Sequence, residues 1–169
     1  HIGRILQFLK RSGLDENTMV IFSSDNGPER SWIQRIDEFG HDSSHIYRGG
    51  KRDIYEGGHR VPFFIRWPGG IKQPGRSWHD IVGQVDLLAT IADVLDVPLP
   101  ANAAEDSQSF RSVLTDPHAE YRRAPLINHS SRGRFAVTDG NWKLIMPHGK
   151  STLELYNLNA DPAEKHNVA

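Results

Sequence analysis

"TMVIFSSDNGPE", residues 18–29, decides the fold. Met19 to Ser23 is a short, mostly apolar run, the pattern of a strand buried in a sheet. Before it, in HIGRILQFLKRSG, Ile2, Ile5, Leu6 and Leu9 recur at helical spacing, and Gly13 suits the helix end. Helix, polar turn at Asp15–Asn17, then strand is the rhythm of an α/β sheet with helices on its faces. The helix begins at or before His1, which is the expectation for a piece of a larger domain. After the strand come Asp25 and Asn26. Ligands of open α/β sheets bind outside the carboxyl ends of the strands. A carboxylate beside an amide carbonyl suits a hard cation such as Ca²⁺ or Mg²⁺. By itself Asp-Asn-Gly reads first as a turn.

Bulk properties narrow the options. The chain has 169 residues, 37% hydrophobic and 24% charged, with a formal net charge of −1. This balance gives no reason to expect nucleic acid or an anionic membrane as the main partner. No apolar run approaches the roughly 20 residues needed to span a bilayer. Without cysteine there is no disulfide, zinc thiolate site or cysteine nucleophile within these residues.

Moving outward, residues 27–50 are polar and lack a sustained period, so a long loop is expected. Trp32 and Tyr47 within it suit local packing, or a sugar-stacking surface. Residues 47–62, YRGGKRDIYEGGHRVP, carry two Gly pairs with Lys51 directly after the first. Gly pairs permit positive φ and close backbone approach. A lysine held there is a compact cation suited to an anionic oxygen. Glu56 and Arg60 can pair and fix this loop; the alternative is a solvated basic loop. Phe63 to Trp67 reads as a second buried strand stopped by Pro-Gly-Gly. Asp86 to Val94 reads as an amphipathic helix with Asp86 as its cap.

Pro98 and Pro100 mark a linker. Beyond it, 125–129, 134–138, 142–146 and 153–158 read as four strands, with a hairpin turn at Asp139-Gly140-Asn141. The residues from Asp161 to Glu164 read as a turn and surface tail. The expected organisation is an α/β core portion over 1–104 and a small C-terminal α+β subdomain over 105–169.

Taken in order, SSDNGPE, RGGKRDIYEGGHRVPFFIRWPG, VDLLATIADVL, GNWKLI and ELYNLNADPAEKHN closely resemble the C-terminal half of the type I sulfatases. These are formylglycine-dependent sulfate-ester hydrolases of the alkaline-phosphatase superfamily. The resemblance runs over nearly the whole chain. It implies the C-terminal part of an alkaline-phosphatase-like sheet core with helices on its faces, plus a small antiparallel subdomain. It implies that Asp25 and Asn26 ligate one Ca²⁺, and that Lys51 contacts the substrate sulfate and stabilises the leaving oxygen. His129, at a strand end, and His41, in the variable loop, are candidate substrate contacts, and His59 is expected to be structural. The substrate is expected to be a sulfated small molecule or glycan, and the location periplasmic or secreted.

The same resemblance says what lies elsewhere. No serine here is followed by x-Pro-x-Arg, so the formylglycine nucleophile and the remaining calcium ligands are expected outside this chain, in an N-terminal part of the same protein. The chain is therefore expected to be inactive alone. A phosphatase or phosphodiesterase of the same superfamily is the alternative enzyme, though the amide of Asn26 favours one hard cation over two transition metals. A non-catalytic carbohydrate-binding module using Trp32, Trp67, Trp78 and Trp142 is a further alternative, but Trp67 and Trp142 fall within strand patterns and read as core.

Overall fold

The computed structural model describes all of residues 1–169, which divide into two compact units. The first comprises His1–Phe22 and Phe64–Ala124; the second comprises Ser23–Phe63 and Pro125–Ala169. No helix is long and apolar enough to cross a membrane.

In the first unit, α1 (Ile2–Arg11) forms where the apolar period predicts it. Lys10 and Arg11 sit at its negative end, and Gly13 takes φ 69° just beyond. Strands β1 (Val20–Ser23) and β2 (Phe63–Arg66), whose outer ends reach the unit boundary, pair as a two-stranded sheet. Arg66 donates to both carboxylate oxygens of Asp15, at 2.7 and 2.9 Å, tying the end of β2 to the turn before β1.

Asp86 stands at the N-cap position that the sequence suggests, but its side chain does not cap the helix. It ends a 3-10 turn (Gln84–Asp86) before α4 (Leu87–Val94). Its fully buried carboxylate takes Arg123 at 2.7 and 2.9 Å and the backbone N–H groups of Gly83 and Gln108. A buried charge needs such complete pairing, and a cap at the surface would not supply it. Thr90, Phe110, Val113 and Leu114 are buried in this unit, the last two on α5 (Arg111–Thr115).

The second unit holds an antiparallel sheet in the order β3 (Leu126–His129), β4 (Phe135–Asp139), β5 (Trp142–Ile145) and β6 (Glu154–Asn157). Asp139 pairs with Trp142 across the two-residue Gly140-Asn141 turn, where Gly140 takes φ 53°. Ala136, Ile145 and Tyr156 pack with Ile54 as the core of this unit.

Other expectations fail as well. The two strands read as buried have no buried residue in this chain, and Phe22 and Phe64 are 47% and 63% exposed. The 27–50 segment contains a helix, α2 (Ser31–Phe39), ended by Gly40 in the left-handed region. Trp142 is 47% exposed, because Lys143 and Ile145 take the inward positions of β5. Glu164 belongs to no surface tail; it is fully buried.

Candidate functional site

All candidate residues lie in the second unit, and three backbone segments position them. The turn after β1 carries Asp25 and Asn26. Asp25 is exposed, and Asn26 is half-buried. The Asn26 Nδ2 donates to the Gly27 carbonyl at 2.8 Å, which leaves its amide oxygen uncommitted. Gly27 and Gly57 explain the next contact. The Gly27 N–H donates to Gly58 O at 3.0 Å, and a Cβ on Gly27 would stand 1.8 Å from Gly57 O. Only glycine lets the two loops lie this close.

The second segment is the Gly-rich loop that ends in α3 (Glu56–His59). The Lys51 N–H donates to Pro28 O at 2.8 Å, so this loop is laced to the Asp25 turn at two points. Gly49 takes φ 77° and its carbonyl accepts from the Ser44 hydroxyl at 2.7 Å. Gly50 lies against the Trp32 indole, where a Cβ would meet Nε1 at 2.6 Å. Trp32 thus packs locally. Lys51 Nζ reaches Glu29 Oε2 at 3.4 Å, and Arg52 donates to Glu29 Oε1 at 2.7 Å. The Arg52 guanidinium, with the Arg30 N–H, holds the Glu29 carboxyl at about 2. The exposed Lys51–Glu29 pair is weakly held, so the ammonium is available to another anion.

The third segment is the turn between β3 and β4, joined to the Lys51 loop through the Ser131 N–H to Arg52 O at 3.2 Å. His129 precedes it, exposed, with its ring 4.5 Å from Phe135. His41 is exposed beyond α2. Neither histidine bonds to Asp25, Asn26 or Lys51. The structure therefore brings the Asp25 turn and the Lys51 loop together, while no hydrogen bond joins either histidine to that pair.

Behind the Lys51 loop lies an ionic cluster that the sequence reading overlooked. Lys143 Nζ reaches Glu56 Oε1 and Glu164 Oε1, each at 3.0 Å, the latter off the hydrogen-bonding angle. Glu164 Oε2 accepts the Glu56 N–H at 2.6 Å, and Lys143 is fully buried. The expected Glu56–Arg60 pair exists at 3.5 Å, but Lys143 is the closer partner. Burial raises the Glu164 carboxyl above its ordinary value, partly opposed by Lys143. No local signal marked it: Lys143 stands between the apolar Trp142 and Leu144 in the sequence, and only the fold turns it inward, where such a charge must find an acid.

His59 is structural, as expected. Burial and, secondarily, Lys143 lower it to about 4, against the pull of Glu56 and Asp53. A folded value below the ordinary 6.5 means the imidazole is neutral in the fold. Its stabilising contribution is full above pH 6.5 and is lost as pH falls through about 4. Replacing it, as in His59→Asn, is expected to flatten the acid side of the stability profile by up to about 3 kcal/mol. Urea unfolding of both proteins from pH 7 to pH 4 checks this; parallel profiles would refute it.

In donor type, Asp25 and Asn26 fit a hard cation, since both offer uncommitted oxygens. A Ca²⁺ ion needs about 6–8 oxygens, however. No group of three or more His, Asp or Glu residues in the chain could hold a metal ion. Such a site would have to be completed from outside these residues.

The family model described as Sulfatase matches residues 1–97. The N-acetylgalactosamine-6-O-sulfatase of Bacteroides thetaiotaomicron is 36% identical, over 99% of this chain and 36% of its own length. Human arylsulfatase A is 32% identical, over 99% of this chain and 36% of its own. A solved structure from work on the metabolism of multiple glycosaminoglycans by Bacteroides thetaiotaomicron superposes with a TM-score of 0.86. It is 34% identical and matches 99% of this chain and 38% of its own. The chain thus spans little more than a third of these relatives.

Proposed function

The chain belongs to the sulfatase family, and from that premise we propose that the protein containing it hydrolyses sulfate esters, with a sulfated carbohydrate as substrate. One observation carries the reading: the turn bearing Asp25 and Asn26 is laced by backbone bonds to the loop bearing Lys51. The arrangement keeps two oxygen donors and one ammonium on adjoining loops. The similarity to an enzyme named for a sulfated amino sugar supports the carbohydrate assignment.

In this reading Asp25 and Asn26 would ligate one Ca²⁺ ion, and its other ligands and a formylglycine would come from the rest of the protein. When bound, those groups supply charge neutralisation and the nucleophile. This chain contributes the electrostatics of departure. As the S–O bond breaks, negative charge grows on the ester oxygen, and the Lys51 ammonium stabilises it. Glu29 orients Lys51 from the other side. His41 and His129 are candidate sugar contacts. An exported location, periplasmic or secreted, accompanies the same reading.

The test uses the complete protein, assayed with calcium on an aryl sulfate and on an aryl phosphate. Turnover of the sulfate with one calcium per protein is expected, and none from the 169-residue chain alone. Two zinc ions with preferential phosphate hydrolysis would replace the assignment with a phosphatase.

A further inference from the structure

A second basic feature adjoins the Lys51 loop. A cavity of about 280 Å³ is lined by Arg30, Arg52, Asp53, Ser131 and Arg132. Three arginines and one carboxylate thus line it, and the carboxylate is held in place by the Gly50 N–H, which donates to Asp53 Oδ2 at 3.1 Å. Arg52 is neutralised by Glu29 outside the cavity wall. Arg30 and Arg132 are different: neither side chain forms an ion pair or hydrogen bond within the chain. What fixes them is backbone. The Arg30 N–H donates to Glu29 at 3.0 Å, and the Arg132 N–H donates to the Ser130 hydroxyl at 3.3 Å.

Two arginines without an ionic partner, on separate segments, line one concavity beside a single carboxylate, which leaves it net positive and favourable to an added anion. Their planar forks match the oxygens of a sulfate or carboxylate better than an ammonium does. The cavity also adjoins the proposed reaction centre. Arg52 follows Lys51 in the chain, and the Glu29 carboxylate bridges the two cationic heads, 3.4 Å from Lys51 Nζ and 2.7 Å from Arg52. Scattered exposed arginines would not line a common cavity.

We propose that this cavity is a subsite for a second anionic group of the substrate, a sulfate or carboxylate on the sugar next to the ester being cleaved, held by Arg30 and Arg132. This rests on the sulfatase reading of the Lys51 loop. It makes the preferred substrate a polyanionic glycan rather than a singly charged ester.

The experiment compares the complete protein with its Arg30→Ala/Arg132→Ala variant. Both side chains are exposed, so the fold should survive. The substrates are a disulfated disaccharide, a monosulfated disaccharide bearing a uronate, and a monosulfated neutral disaccharide. Selectivity, the ratio of kcat/KM for a two-anion substrate to that for the neutral one, is expected to fall at least about tenfold, mainly through KM. Loss with the disulfated substrate alone identifies a sulfate subsite; loss with the uronate substrate alone, a carboxylate subsite; loss with both, an unselective one. An unchanged ratio overturns the proposal. Calorimetric titration of the same disaccharides is run beside the kinetics. If no sulfate ester turns over, the sulfatase reading falls, and the titration still decides the subsite: two-anion binding lost in the variant supports it, and equal binding refutes it.

Discussion

Lys51→Ala in the complete protein is expected to lower kcat for sulfate-ester hydrolysis by about 10²–10³-fold, the scale seen when one preorganised donor to a developing oxyanion is removed. The loss should fall on kcat more than on KM, because the ester oxygen gains its charge as the bond breaks. Lys51→Arg should recover only part of the rate, since a wide planar fork does not replace a compact ammonium on a tight loop. Stability should barely change. The lost pair with Glu29 is 3.4 Å long, and both side chains are a third to a half exposed. A variant that keeps a near-normal kcat would remove Lys51 from the reaction. One that unfolds would show that the lysine supports the loop instead.

The second large effect concerns Lys143, which touches no substrate in this scheme. Replacing it with Met keeps the stem and deletes the charge, leaving Glu56 and Glu164 buried against each other. Breaking a buried ion pair from one side costs about 3–5 kcal/mol. Urea unfolding of Lys143→Met should show a loss of that size. Neutralising the acids as well, in Lys143→Met/Glu56→Gln/Glu164→Gln, should return most of it, because an uncharged cluster avoids the desolvation cost. A single variant within about 1 kcal/mol of the parent would mean that water reaches the cluster. Because Glu56 opens α3 in the loop that also carries Lys51, the single variant should lose activity too, and a triple variant that refolds should regain it.

Sequence reading succeeded where local rules and the fold agree. The four strands of the antiparallel sheet are legible as short strand-like runs, and Gly140-Asn141 fixes one register. The first helix follows from its apolar period. The Asp25 turn and the Gly pairs around Lys51 are legible because short polar or glycine runs beside apolar strand runs have few other uses. The missed helix α2 was also legible in principle, since Trp32, Ile36 and Phe39 share helical spacing. The flanking Gly27 and Gly40 and the absence of a side-chain cap hid it. Long-range pairing was not legible at all. Asp86 looks like a cap until Arg123 arrives from 37 residues away. Glu164 follows Asp-Pro in a polar stretch, and nothing local says that it lies under the sheet. Trp142 looks like core because large aromatics usually are, yet the inward position belongs to its neighbour, Lys143.

The buried acid near the end of the chain also sets an order of events during synthesis. Glu164 joins Glu56 across 108 residues of sequence. At about 5–20 residues per second, a ribosome needs roughly 5–20 s to add that much chain. Until then α3 lacks one of its anchors, and Lys143, once made, has only Glu56 for company. The nascent protein must therefore pass through a stage in which its glycine-rich segment is still unlocked, and chaperones and proteases meet that stage first.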